Sequence, residues 1–322
     1  MSSPNVTLSL RVKSITRETE NIHSLVLESL DEQPLPTFSA GAHIDLMLKT
    51  NLSRSYSLIG DGGKSSCYVI AVAKDPNSRG GSRYVHESLR VGDHVHVSKP
   101  RNTFPLLDSA TLSVFIAGGI GITPLWSMVQ RLEALGRRWI LHYFARTRTH
   151  AAFLKDIEKL EHQSKTGELI VHFDDEGGGK PHNISILESF VAPEAHLYCC
   201  GPRPMLAAFE QATKLRPADH VHLEYFGTRE DKTKNGFKVI LEKSGFEFDI
   251  PEDKSILDVL LDNDINVQYG CMQGSCGMCE SRVLDGQPDH HDSILSAEAR
   301  ASNATMLICC SRSKSLTLTL DI

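Results

Sequence analysis

Residues 113–128 read SVFIAGGIGITPLWSM, an apolar run, then Gly118, Gly119 and Gly121, then Thr123 and Pro124 ahead of an amphipathic stretch. The run fits a buried strand. Thr123 is placed to cap the helix that follows, and Pro124 fits its first turn. Glycines in the turn leave backbone amides free at a helix N-terminus, where an anion such as a pyrophosphate is held. The third glycine of the usual dinucleotide fingerprint is missing, with Pro124 in its place, which disfavours a standard Rossmann dehydrogenase.

Working outward from this turn, apolar strands alternate with amphipathic helices after Pro100, the pattern of a doubly wound parallel sheet. Strands are expected near 112–117, 139–145, 168–173, 195–200 and 220–226, and helices at about 124–135, 151–162, 184–190 and 203–214. A second strand-to-helix turn, LYCCGPRPML at 197–206, carries Cys200, Gly201 and Pro202; its plain alternative is a pair of buried structural cysteines.

Upstream, residues 6–100 follow a period of two, with Leu8, Leu10 and Val12, Ile44, Leu46 and Leu48, and Val95 and Val97 on alternate positions. Six short strands and one helix near 82–89 suggest a small closed antiparallel barrel. In this region Arg54, Ser55, Tyr56 and Ser57 form RSYS on a strand, where Arg54 and Tyr56 project to one side. An arginine fork beside an aromatic ring can hold a phosphate while the ring packs on a flat heterocycle. Gly80, Gly81 and Ser82, in SRGGS, let backbone amides approach the same anion.

Downstream, GTREDKTKNG at 227–236 is polar and without apolar periodicity, as an exposed linker is. Beyond it a hairpin over 237–250, a short helix at 255–263 and a strand at 316–320 are expected around a Gly/Cys loop. That loop, YGCMQGSCGMCE at 269–280, spaces Cys271, Cys276 and Cys279 as C-x4-C-x2-C, with Cys309 following later. This is the plant-type spacing for a 2Fe-2S cluster. Gly270, Gly274, Ser275 and Gly277 are small enough for amides to turn toward sulfur. Zinc loops usually pair two short hooks, and one is present here. Cys309 is expected on a strand over Met306–Ser311, so that Cys310 faces the other way. His290 and His291 are expected on the solvated surface.

The chain has 322 residues with 34 Lys and Arg against 40 Asp and Glu, a formal net charge of -6. The balance opposes nonspecific nucleic-acid binding, which needs a basic surface. Apolar runs are too short to span a membrane. Residues 1–20 lack the features of a signal peptide, so the cytoplasm is the expected location.

RSYS, GGIGITP, CCGP and the cysteine motif, in that order over essentially the whole chain, resemble the phthalate dioxygenase reductase family. That resemblance implies a six-stranded FMN barrel at 1–105, an NADH-binding α/β domain at 106–227 and a C-terminal β-grasp ferredoxin at 237–322. It implies that Arg54 to Ser57 with Gly80, Gly81 and Ser82 hold FMN. Gly118 to Pro124 and Cys200 to Pro202 would border the nucleotide, and Phe226 would lie at the flavin. Thr123, Cys200 and Phe226 are the candidates nearest the hydride path. Ala73 stands where related members carry a basic residue. NADH delivers a hydride, the cluster accepts single electrons, and flavin converts one into the other. The implied partner is a Rieske-type oxygenase of aromatic rings. Alternatives from other classes are a reductase for a cytochrome P450 and an iron-sulfur carrier without turnover.

Overall fold

The computed structural model describes residues 7–49, 52–76, 78, 80–176, 192–226, 236–252, 254–272, 274 and 276–322. The chain divides into two compact units, Met1–Phe226 and Gly227–Ile322.

In the first unit, alternation of apolar and polar residues produces six antiparallel strands. They are β1 (Thr7–Arg17), β2 (Ile22–Ser29), β3 (His43–Lys49), β4 (Leu52–Ile59), β5 (Cys67–Ala73) and β6 (His94–Ser98). They close into a barrel in the order β1-β2-β5-β4-β3-β6, which leaves no edge to pair with another chain. Leu10, Val12, Leu25, Leu27, Ile44, Leu46, Ile70 and Val97 fill its interior. A short helix, α1 (Gly81–Glu87), follows β5.

The same unit continues with β7 (Leu112–Gly118), α2 (Ile122–Ala134), β8 (Arg138–Ala145), α3 (Leu154–Gln163), β9 (Gly167–Phe173), β10 (His196–Cys200), α4 (Arg203–Ala212) and β11 (Val221–Glu224). Their five strands form a sheet in the order β11-β10-β7-β8-β9. Neighbours run parallel, β7 with β8 and β10 with β7 among them. The strand order reverses between β7 and β10, the place where doubly wound sheets bind ligands at the carboxyl ends of their strands. The helix expected at 184–190 lies outside the described residues.

Barrel and sheet do not keep wholly separate cores. Ile22, Ala40, Ile59, Ala71 and Phe104 from the barrel side join Phe115, Leu125, Trp126, Met128 and Tyr143 in one buried cluster. Ser127 Oγ donates to the Gly60 carbonyl at 2.6 Å. At Gly41 a Cβ would stand 1.9 Å from the Phe104 carbonyl oxygen, so this approach admits only glycine. On the opposite sheet face Val114, Ile116, Leu197 and Cys199 pack on Leu206 and Phe209 of α4.

The second unit holds β12 (Phe237–Leu241), β13 (Glu247–Ile250), α5 (Ile256–Asp262), β14 (Glu280–Asp285), β15 (Pro288–Asp289), α6 (Ala297–Ser302), β16 (Thr305–Leu307), β17 (Arg312–Ser313) and β18 (Thr317–Leu320). A mixed sheet in the order β13-β12-β18-β14-β16 grips α5, the β-grasp arrangement. Ser255 caps α5: its Oγ accepts from the Asp258 amide at 3.1 Å, and the Asp258 carboxylate accepts from the Ser255 amide at 3.0 Å. Ile256, Leu257 and Leu260 bury the helix against Val239, Leu241, Leu318 and Leu320. Of the linker expected at 227–236, only Gly236 is among the described residues.

Candidate functional site

On β4, Arg54 and Tyr56 occupy one face by strand alternation, and Ser55 the other. Arg54 is 9% exposed. Its Cγ and Nε lie 2.8 and 3.1 Å from where a Cβ at Gly81 would stand, so the side chain crosses the start of α1 through the space that glycine leaves. RSYS and SRGGS, separate in sequence, therefore meet. Gly80 reaches the helix with φ 99°, a left-handed backbone. The Gly80 amide donates to Ser78 Oγ at 3.2 Å, as does Ser82 Oγ at 3.0 Å, which fixes the turn.

Burial pushes the Tyr56 phenol up to about 12 against the opposing pull of Arg54, so the ring offers a flat neutral surface rather than an acid. Ser55 is engaged elsewhere, donating to Asp45 Oδ1 at 2.6 Å beside the Arg101–Asp45 ion pair of 2.5 Å. Ser57 is buried at the same strand's carboxyl half. A buried guanidinium against a glycine turn suits a flavin phosphate.

In the sheet, the turn after β7 is a 3-10 turn at Gly119–Gly121, capped through backbone geometry. Thr123 is not the helix cap expected from sequence: α2 starts at Ile122 with Gly121 before it, and no side chain caps it. The glycine turn advances the helix start, which leaves Thr123 inside the first turn, buried and donating to the Ile120 carbonyl at 3.1 Å. Pro124 falls within that first turn, where its missing N–H costs nothing.

Gly121 is required by backbone approach rather than by φ, since a Cβ there would lie 2.1 Å from the Cys200 carbonyl oxygen; a Cβ at Gly118 would stand 2.6 Å from Pro202 Cδ, and one at Gly201 2.7 Å from Met205 Sδ and 3.1 Å from the Gly118 Cα. GGIGITP and CCGP thus touch at the switch point.

Cys199 and Cys200 point to opposite sheet faces and join different clusters. Burial drives the Cys200 thiol well up, with Glu224 and Cys199 adding to it, so it stays protonated. Glu224, at the end of β11 in register with Cys200, was not singled out in the sequence. Its carboxyl is buried, Oε2 has no hydrogen-bond partner, and burial raises it to about 8. A lone acidic residue closing the strand VHLE, between Leu223 and Tyr225, was the available signal. Two residues on, Phe226 is 41% exposed, a large aromatic ring left in solvent at the same end of the sheet.

In the second unit five cysteines gather, Cys276 beside Cys271 and Cys309 beside both Cys279 and Cys310. The Cys271 amide donates to Cys276 Sγ at 3.3 Å. The Cys276 thiol hydrogen-bonds Cys271, and the Cys279 thiol hydrogen-bonds Cys309, each pushed up by that bond and then by burial. Two thiols for each of two irons is the donor set a 2Fe-2S cluster takes. Gly274, φ 73°, would put a Cβ 2.5 Å from Cys310 Sγ, so the loop lies close on the segment that bears the fourth cysteine.

Two expectations are corrected here. Met306–Ser311 is not one strand: β16 ends at Leu307, and the Cys310 and Ser311 amides both turn back to the Leu307 carbonyl at 3.3 and 3.0 Å. Alternation therefore does not separate Cys309 from Cys310, and Cys310 lies against the cysteine loop instead of on an opposite face. His290 and His291 are buried rather than solvated, because their loop packs under the cysteines through Ser293, whose amide donates to the Gly274 carbonyl at 3.0 Å. His291 pairs with Asp289 at 3.0 Å, and buried Asp292 accepts the Ile294 and Leu295 amides at 3.0 and 2.7 Å.

The oxidoreductase NAD-binding domain family matches residues 115–211, and the 2Fe-2S iron-sulfur cluster binding domain family matches residues 239–314. Phenoxybenzoate dioxygenase subunit beta of Ectopseudomonas oleovorans is 47% identical over 98% of this chain and 97% of its own. Tetrachlorobenzoquinone reductase of Sphingobium chlorophenolicum is 44% identical over 100% of both chains. A solved structure of phthalate dioxygenase reductase, described as modular and carrying electrons from pyridine nucleotides to 2Fe-2S, covers 98% of each chain at 34% identity and a TM-score of 0.80.

Fold, site and likenesses together define an NADH-dependent flavin and iron-sulfur reductase, with FMN and a 2Fe-2S cluster as its redox groups. The chain belongs to the phthalate dioxygenase reductase family. Among the described residues no helix is long and apolar enough to cross a membrane.

Proposed function

We propose that this chain is the reductase component of a Rieske-type aromatic-ring dioxygenase or demethylase, working in the cytoplasm where NADH is supplied. The observation that carries the reading is the meeting of the two nucleotide turns at Gly118, Gly121 and Cys200 in a chain that also gathers Cys271, Cys276, Cys279 and Cys309.

Arg54, the Gly80–Gly81 turn and Ser82 hold the FMN phosphate, and Tyr56 and Phe226 offer rings to the isoalloxazine. NADH lies over Gly118 to Pro124 and Cys200 to Pro202. When bound, FMN takes two electrons from NADH and releases them singly. Thr123 keeps the turn in shape through its bond to Ile120. Cys200 and Glu224 are both protonated near neutral pH, so neither sets a negative charge beside the reacting rings. Cys271, Cys276, Cys279 and Cys309 would hold the 2Fe-2S cluster, which would supply single-electron transfer.

Reconstitution decides the partner: NADH-dependent turnover with a Rieske oxygenase is expected, through a weak and transient complex that releases after each electron. A second reading is supported by the relative that reduces a chlorinated quinone, namely direct delivery to a small quinone. Fast quinone reduction with no turnover of any Rieske oxygenase would favour it, and efficient reduction of a P450 alone would move the chain to that class of partner.

A further inference from the structure

The loop after β8 reads Arg146-Thr147-Arg148, with no acidic residue to meet an adenosine ribose. In doubly wound sheets the end of the second strand is where that ribose lies, an acid there favouring a free 2′-hydroxyl and an arginine a 2′-phosphate. On sequence alone the two arginines point toward NADPH. The structure supplies what the sequence there lacks, from two other elements.

The first is α3. Its buried Leu154 and Ile157 set the helix against the sheet, and the next residue, Glu158, forms an ion pair through Oε1 with Arg148 Nη2. Arg148 opens a 3-10 turn, Arg148–His150, whose shape is held by Thr147 Oγ1, 2.8 Å from His150 Nδ1 and 2.9 Å from Thr149 Oγ1. The second is the end of β9: the Asp174 amide donates to the Ala145 carbonyl at 3.1 Å and the Asp175 amide to the Arg146 carbonyl at 3.2 Å. Parallel pairing thereby sets an acidic pair alongside the basic loop, with Asp175 exposed.

We infer that Glu158 is a specificity-determining residue: by engaging Arg148 it withholds the guanidinium that would bind a 2′-phosphate. The inference rests on the nucleotide binding over the carboxyl ends of β7 and β8. Glu158 acts through Arg148 and is a positioning residue, removed from the hydride path.

The test is steady-state oxidation of NADH and NADPH by the full-length holoenzyme with ferricyanide as acceptor. For Glu158→Gln, kcat/KM with NADPH should rise about tenfold, the worth of one charge-assisted hydrogen bond in solvent, through KM and not kcat. NADH kinetics should stay within about twofold, since its 2′-hydroxyl makes no such bond. Glu158→Asp should retain the original preference. In Glu158→Gln/Arg148→Ala the gain should vanish. Calorimetry with adenosine 2′,5′-bisphosphate should show the same pattern without turnover. An unchanged NADPH preference in Glu158→Gln, or a gain that survives loss of Arg148, overturns the inference. Absence of any NADH oxidation by the parent protein would instead overturn the nucleotide site itself.

Discussion

Glu224 keeps a proton that an exposed carboxyl would lose, because its Oε2 is buried without a hydrogen-bond partner on the strand next to buried Cys200, which leaves little to solvate the anion. The folded chain binds this proton up to about 8, whereas the unfolded chain releases it near 4.5, so stability from this group is complete below 4.5 and is lost as the pH rises toward 8. The thermal midpoint should therefore fall between those values, and Glu224→Gln should flatten that part of the curve. Equal slopes for both proteins would show that another group titrates. The same residue should place a break near 8 in NADH-dependent flavin reduction. Cysteine spacing singled out Cys309, which lies beside both Cys279 and Cys310, and the strand argument for choosing it failed. Cys309→Ala should abolish the reduced-cluster EPR signal with flavin reduction intact, and Cys310→Ala should retain the signal. The reverse outcome would transfer the ligand role to Cys310. Glu224 escaped the sequence because its importance comes from a neighbour on another strand.

At the scale of elements, the period of apolar residues was enough to find β1, β3, β5 and β6 of the barrel and every strand of the parallel sheet among the described residues, since alternation and buried runs are written locally, whereas β4 was found through RSYS and β2 was counted among the six without being placed. Ends were less legible. Thr123 has the chemistry of a cap, but a glycine turn started α2 before it, and a turn after Leu307 cut short an apolar stretch that reads as strand. Those outcomes depend on Cys200 and Leu307 carbonyls that no local pattern announces. The two kinds of glycine in the turn separate experimentally. Gly121→Ala forces a Cβ to 2.1 Å from the Cys200 carbonyl and must displace the turn, whereas Gly119→Ala meets open space at φ 54°. The second should cost only about 1–2 kcal/mol of backbone strain. Gly121→Ala should raise KM for NADH by an order of magnitude or more, roughly the effect of a small misplacement at a binding site, with Gly119→Ala much milder. Equal effects would mean that the two turns do not depend on their contact.

The whole molecule was legible in outline because barrel, sheet and ferredoxin sequences differ in period and composition. Its joined first core was not, since Ile22 and Trp126 lie in one cluster while far apart in the chain. That shared packing holds the Arg54 site and the Gly118 turn in one unit, Met1–Phe226, as hydride transfer between the two bound groups requires. The cysteines lie in the other, Gly227–Ile322, so the account makes one demand of the intact protein: electrons from NADH must reach the cluster. Anaerobic titration of the purified holoprotein with NADH, followed by visible absorbance and EPR after the bound flavin has been identified by chromatography, measures this directly. One FMN per chain should bleach, and a reduced 2Fe-2S signal should grow toward one spin per chain. Bleaching of the flavin with no cluster signal at any NADH concentration, or FAD as the main bound flavin, would contradict the account.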